Sequence, residues 1–172
     1  MIPAARNESR CMPDPDLVPA PFADGRQSPA ALAITRGVRR LLWTLGLASI
    51  PELSLPNGRR ADIAALSEKG EVWIVEVKSS VVDFRSDSKW PEYRDYCDRL
   101  LFAVDRAFPT EILPRDAGVI VADAYGAAVI RDAPVTPLAG ARRKLVALRF
   151  ARVAALRLHG FADPEFGTLR ID

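Results

Sequence analysis

At 172 residues and 49% hydrophobic, the chain is long enough to bury one core and short for more than one domain. No run approaches the ~18 apolar residues of a membrane span, and no apolar segment follows the first basic residues as in a secretory signal. Cys11 and Cys97 are the only cysteines, too few for a disulfide framework or a zinc cluster, so a reducing cytoplasm is the expected setting and no membrane is an expected partner. The net charge of +2 conceals an uneven distribution, and of 24 basic residues only Lys69, Lys78, Lys89 and Lys144 are lysines. Arginine suits bidentate phosphate contacts, but codon bias also enriches it in chains rich in alanine and proline, so its content alone decides nothing.

Residues 1–27 carry Pro3, Pro13, Pro15, Pro19 and Pro21 among charges with no apolar period, which reads as a flexible tail. Ser28-Pro29 is an N-cap followed by proline at the first helical position. Leu32, Val38, Leu41, Leu42 and Leu45 then recur near a helical period as far as Gly46, on a helix with Arg36, Arg39 and Arg40 and no acid. Glu52 to Leu55 reads as a short strand before the Pro56-Asn57-Gly58 turn. Arg60 to Leu66 is a second strand, and Glu71 to Lys78, after the Ser67-Glu68-Lys69-Gly70 turn, a third. Val72 and Ile74 lie on one face of that third strand and Trp73, Val75 and Val77 on the other, so it is central in a covered sheet. A polar segment from Ser79 to Ser88 leads to a short helix near Lys89 to Cys97. Leu100 to Val104 is the next strand, Gly118 to Asp123 and Ala127 to Arg131 pair around Tyr125-Gly126, and a helix runs from about Ala141 to Leu158. The domain is expected over 28–160, with a C-terminal tail over 161–172.

Glu76 and Lys78 are two apart on a strand, so they leave the same face with Cα atoms about 6.5 Å apart. Charges within a Val/Ile/Trp strand are costly to bury unless paired or bound to a metal. If Ser67 pairs with Glu71 across the turn, counting back sets Asp62 opposite Glu76, whereas a turn one residue shorter or longer sends Asp62 to the other face. Two carboxylates that close repel unless a cation or a shared proton joins them. Oxygen ligands of this kind suit Mg²⁺, with Mn²⁺ as a substitute, and the chemistry that follows is phosphodiester hydrolysis. Lys78 would orient or deprotonate the water, or stabilise developing negative charge. The competing reading is that Glu-x-Lys is a solvated pair on an exposed face.

The string Arg60-Ala61-Asp62-Ile63, a turn, then Val75-Glu76-Val77-Lys78-Ser79-Ser80 resembles the D…(D/E)-x-K signature of the PD-(D/E)XK, restriction-endonuclease-like nucleases. The order helix, three strands, helix, strand over 28–104 is similar to that superfamily's core. The run Asp83-Phe84, Asp87-Ser88-Lys89-Trp90-Pro91, Tyr93 and Tyr96-Cys97-Asp98 resembles a narrower group, the MmcB-type bacterial DNA-repair proteins. The resemblance, over about 28–150, implies a single-domain α/β fold of αβββαβ order, a mixed sheet flanked by helices, with an added strand pair and C-terminal helix. It further implies Asp62 and Glu76 as metal ligands and Lys78 as the catalytic lysine. The superfamily often has a glutamate on its first helix; here that helix has none, and Glu52 just beyond is a loose substitute as a further ligand. Ala61 stands where the motif's name has proline.

Asp83, Asp87, Trp90 and Tyr93 either line the mouth of this site or pack and cap the helix after it. Lys89 and Tyr93, four apart, would share a helix face, with Lys89 on a phosphate. Arg142, Arg149 and Arg152 fall within about 80° on the last helix and, like Arg36 and Arg40 on the first, form either a phosphate-tracking edge or a solvated face. His159, the sole histidine, matches no motif, and no phosphate-binding glycine loop is present. The expected function is a metal-dependent DNA endonuclease in bacterial DNA repair, alongside other repair proteins. The competing expectations are a nuclease-like DNA-binding module that no longer cuts, and a plain α/β scaffold.

Overall fold

The computed structural model describes residues 27–163, and the first element follows directly from its opening residues. Ser28 is extended and its Oγ accepts the Ala31 N–H at 3.1 Å, while Pro29 occupies the first turn, where no donor is needed. Helix α1 runs Pro29–Thr44 and stops at Gly46, whose φ of 74° is left-handed backbone. Strands β1 (Ala48–Ser54), β2 (Arg60–Leu66) and β3 (Val72–Val77) follow, then helix α2 (Val81–Ser86), a 3₁₀ segment (Trp90–Tyr96) and β4 (Arg99–Val104). A 3₁₀ turn at Thr110–Ile112, strands β5 (Gly118–Ala122) and β6 (Ala127–Arg131) and helix α3 (Gly140–Ala162) complete the order.

All six strands form one sheet in sequence order, β1 to β6. The β1–β2, β2–β3 and β5–β6 pairs are antiparallel, and β3–β4 and β4–β5 are parallel. The mixed sheet flanked by helices is the α/β class the sequence implies, and the strand pair β5–β6 extends the same sheet. Helix α1 covers one face through Ile34, Val38 and Leu42, packed on Ile63, Ala65, Val75, Val77, Leu101 and Ile120. It can approach the β5–β6 turn so closely because residue 37 is glycine: a Cβ there would collide with the Asp123 and Gly126 carbonyl oxygens. Helix α3 covers the other face through Val146, Phe150 and Val153, against Ile50, Leu53, Val72, Ile74 and Leu100. The two faces of β3 divide their side chains between these layers, Val72 and Ile74 to α3, Trp73, Val75 and Val77 to α1.

Four expectations need correction. The polar stretch after β3 contains helix α2, capped by Ser80, whose Oγ accepts the Asp83 N–H at 3.1 Å. Its Val81 and Phe84 pack on a third cluster around Phe102, Phe108 and Val119. The expected helix near Lys89 to Cys97 is a 3₁₀ segment, in which side chains three apart rather than four share a face, so Lys89 and Tyr93 do not: Lys89 is exposed and Tyr93 buried. Strand β1 begins at Ala48 rather than Glu52, and α3 extends to Ala162, into the expected C-terminal tail. The rest of that tail, and residues 1–26 of the expected N-terminal tail, lie outside the described residues.

Candidate active site

The β2–β3 register decides whether the three signature residues meet. Ser67 N–H donates to the Glu71 carbonyl at 3.0 Å, Gly70 turns at φ 79°, and the ladder runs Leu66↔Val72 to Ile63↔Val75. That register sets Asp62 against Glu76, as the turn residues predict. The main-chain ladder stops there, and the carboxylates accept main-chain donors in its place. Val77 N–H donates to Asp62 Oδ2 at 2.8 Å, and Asp62 N–H donates to Glu76 Oε1 at 3.2 Å.

The strand pair on the other side is also irregular at this level. Pro51↔Ile63 and Leu53↔Ala61 flank Glu52 and Asp62, and Glu52 is the one described non-glycine residue with positive φ, 51°. Side-chain alternation breaks at the same place: Ile50 and Leu53 join one cluster, and so do Ala61 and Ala64. Asp62 therefore sits at a kink shared by two strands, where irregular backbone commonly accompanies a site.

Glu76 and Lys78 are 3% and 5% exposed, so the reading of Glu-x-Lys as a solvated surface pair fails. Lys78 Nζ lies 2.6 Å from Asp87 Oδ2 and 3.8 Å from Glu76 Oε2. Burial would lower the ammonium pKa, but the hydrogen bond to Asp87 and the charges of Glu76, Asp87 and Asp62 outweigh it, and Lys78 is held above its usual value. Asp87 responds oppositely. Burial would raise it, yet Lys78 and the Lys89 N–H, which donates to Oδ1 at 2.9 Å, bring it below the usual carboxylate range. Burial pushes Asp62 up, with Asp83 adding to it and the Val77 N–H and Lys78 opposing. Glu76 is driven well above its ordinary value, by burial first and the Asp62 charge second, against Lys78 and the Asp62 N–H. These two are the uncomfortable charges of the centre.

The site opens into a cavity of about 330 Å³ whose walls include Asp62, Glu76, Lys78 and Asp83, with Ser28 and Thr35 from the start of α1. Asp83 Oδ2 accepts the Ser79 N–H at 3.1 Å. Tyr93 belongs to the cluster under α3, its hydroxyl donating to the Arg60 carbonyl at 3.0 Å; burial and the charges of Glu76, Asp62 and Asp87 push that phenol above its ordinary value. Trp90 packs edge-on to Phe102 with ring centroids 5.5 Å apart, under the Arg94 guanidinium, so it supports the site from behind. Glu52 is held aside by Gln27 Nε2 at 3.0 Å and Arg60 at 3.8 Å. Among the described residues no group of three or more acidic, histidine or cysteine side chains is spaced to hold a metal ion. Two carboxylates, Asp62 and Glu76, remain as the donor set, which fits a cation that keeps several waters, as Mg²⁺ does.

The basic residues divide. Arg142 is tied to the 3₁₀ segment, donating to the Asp95 carbonyl at 3.1 Å and lying over the Tyr96 ring. Arg152 is exposed, whereas Arg149 is half-buried with its Nε enclosed. The three therefore do not present one free edge. Arg40 donates to the Ala124 and Tyr125 carbonyls, and Arg36 is exposed beside it on α1. Sequence reasoning missed Asp98 as a scaffold group. Its buried carboxylate accepts Val72 N–H, Leu138 N–H and both Arg143 amino groups, at 2.7 to 2.9 Å. The available signals were its place in the Tyr96-Cys97-Asp98 run and an acid directly preceding a hydrophobic strand.

No curated protein matches the sequence. The solved structure of a protein of unknown function from Silicibacter pomeroyi is similar, with a TM-score of 0.78 at 44% identity, covering 81% of this chain and 95% of that one. No described helix is long and apolar enough to cross a membrane. Residues 18–165 match the family described as DNA repair protein MmcB-like, a span that includes α1, the whole sheet and every residue of the Asp62–Glu76–Lys78 centre. The chain therefore belongs to the MmcB-like family of DNA repair proteins.

Proposed function

We propose that this protein is a divalent-metal-dependent DNA endonuclease of PD-(D/E)XK type, hydrolysing phosphodiesters at Asp62, Glu76 and Lys78. The observation that carries it is the meeting of two buried, mutually repelling carboxylates with a buried lysine at the point where the β2–β3 ladder opens. Such a pair is costly in a protein that does nothing with it. Asp62 and Glu76 would hold Mg²⁺ or Mn²⁺ through the oxygens left over from their main-chain bonds, Oδ1 and Oε2. The bound ion would supply Lewis acidity toward a phosphate oxygen and a water. Lys78, kept protonated by Asp87, is placed to stabilise charge developing on the phosphate rather than to take a proton. Asp87 positions Lys78, and Tyr93 walls the centre against the core.

The test is nicking of supercoiled DNA titrated with Mg²⁺ and Mn²⁺. Asp62→Asn, Glu76→Gln and Lys78→Ala should each lower the rate by roughly 10²–10³, the cost of losing one preorganised electrostatic group. The two-acid donor set favours a second reading, a nuclease-like DNA-binding module without cleavage. DNA binding with no nicking under either metal would select it.

A further inference from the structure

The side of α1 turned away from the sheet has no partner in the described fold. Leu32, Arg36, Arg39 and Trp43 follow one another at intervals of four, three and four residues, which aligns them on one helix face, with Arg40 beside Arg36. With Pro51 of β1 they line a groove of about 610 Å³. Trp43 is 80% exposed, an unusual place for an indole that binds nothing. Arg36 and Arg39 have no hydrogen-bond acceptor or carboxylate partner among the described residues, and α1 contains no acid that could neutralise them. Arg39 is half-buried, and the Arg157 guanidinium is near enough to repel it. Among the described residues the face therefore has an uncompensated positive charge beside an open aromatic ring.

The groove adjoins the Asp62–Glu76–Lys78 cavity, since Gln27 and Thr35 line both. From Thr35 to Trp43 the helix rises about 12 Å, at 1.5 Å per residue. That accommodates about four stacked nucleotides of one strand, at 3.4 Å each. We propose that this α1 groove binds a single-stranded DNA tract, a base stacking on Trp43 and phosphates on Arg36 and Arg39, and leads it toward the Asp62–Glu76–Lys78 pocket. A basic track with an aromatic is the arrangement that grips unpaired strands, whereas in a duplex the base faces are already stacked on each other. The inference rests on the nuclease reading only for the direction in which the strand runs; the binding claim stands apart from it.

The experiment measures binding by anisotropy with the full chain in EDTA, on a short labelled oligothymidine, the blunt duplex, and a duplex with a tail of about four unpaired nucleotides. Trp43→Ala should weaken oligothymidine and tailed-duplex binding by about five- to one-hundred-fold, the fold range of one base–aromatic stack. Blunt-duplex affinity should change less than about twofold, and Trp43→Phe should restore most of the loss. Arg36→Glu should weaken the same two ligands and flatten their salt dependence. Equal losses on all three ligands, or no loss in Trp43→Ala, would overturn the proposal. So would unchanged oligonucleotide binding with faster tryptic cleavage after Arg26 in Trp43→Ala, which would assign the groove to the chain's own acidic stretch containing Asp14, Asp16 and Asp24. Because no metal is present, failure here leaves the nicking assay untouched, and absence of nicking leaves this result standing.

Discussion

Asp62 and Glu76 are each held by a main-chain N–H, yet burial raises both above their ordinary values of 3.8 and 4.5, helped by the Asp83 charge at Asp62 and by the Asp62 charge at Glu76. A carboxylate raised on folding contributes stability that is full below its unfolded pKa and is lost as pH rises through the folded one. The metal-free protein should therefore lose stability from this pair above about pH 4 and upward. Asp62→Asn keeps an acceptor for Val77 N–H and removes the charge, so it should stabilise the metal-free chain at neutral pH by on the order of 1 kcal/mol. Urea denaturation of both proteins from about pH 5 to pH 8 should show the gap widening with pH; a constant gap would deny the repulsion. Mg²⁺ should raise the melting temperature of the wild type and not of the variant, by an amount equivalent to roughly 2.7 kcal/mol at a hundredfold excess over Kd. Lys78 titrates high because of Asp87. Asp87→Asn should move the alkaline limb of the cleavage profile to lower pH, and an unmoved limb would show that Lys78 is not the group titrating there.

At the scale of elements, Asp98 joins what the chain separates. Directly before β4, it binds the start of β3 through Val72, the approach to α3 through Leu138, and α3 itself through Arg143. Burial alone would raise its pKa, but Arg143 and the two N–H donors outweigh that and depress it. Its contribution is thus present above the unfolded value of 3.8 and lost as pH falls through the folded one. Asp98→Ala should cost about 2–6 kcal/mol, since two buried main-chain donors lose their acceptor at ~1–3 kcal/mol each. Calorimetry measures the loss. The nicking rate per folded molecule should be unchanged below the melting transition, which separates this residue from the proposed catalytic centre.

Across the whole molecule, three clusters enclose the sheet, and Cys97 lies within the α3-side cluster, 2% exposed. Burial, reinforced by Asp98 and Glu76, raises its thiol to about 12, so neither thiolate nor access is available in the native fold. Cys97 should react with a thiol reagent only at the rate of global unfolding, read by mass spectrometry as a slow phase that urea accelerates steeply. Modification as fast as that of an unfolded peptide would mean the α3 layer opens locally.

Much of this architecture was legible in the residues. Ser28-Pro29, the Ser67–Gly70 turn and the apolar pattern of β3 announce α1, the β2–β3 register and the central strand through local chemistry alone, and the register brings Asp62 to Glu76. Helix α2 was hidden because Val81 and Phe84 are its only apolar anchors, and what they pack against lies more than fifteen residues on, at Phe102 and Phe108. The partner of Lys78 was left open: Asp87 reads in sequence either as lining the mouth of the site or as a helix cap, and only the path of the chain after β3 returns it to the lysine. The basic residues show the same division. A count of arginines does not distinguish Arg143, spent on Asp98, from Arg36, left facing solvent, because that depends on which acids the fold delivers to each. Turns, caps and alternation act over a few residues and are written in the sequence. Charge pairing and burial act across the fold, and only the tertiary structure decided them.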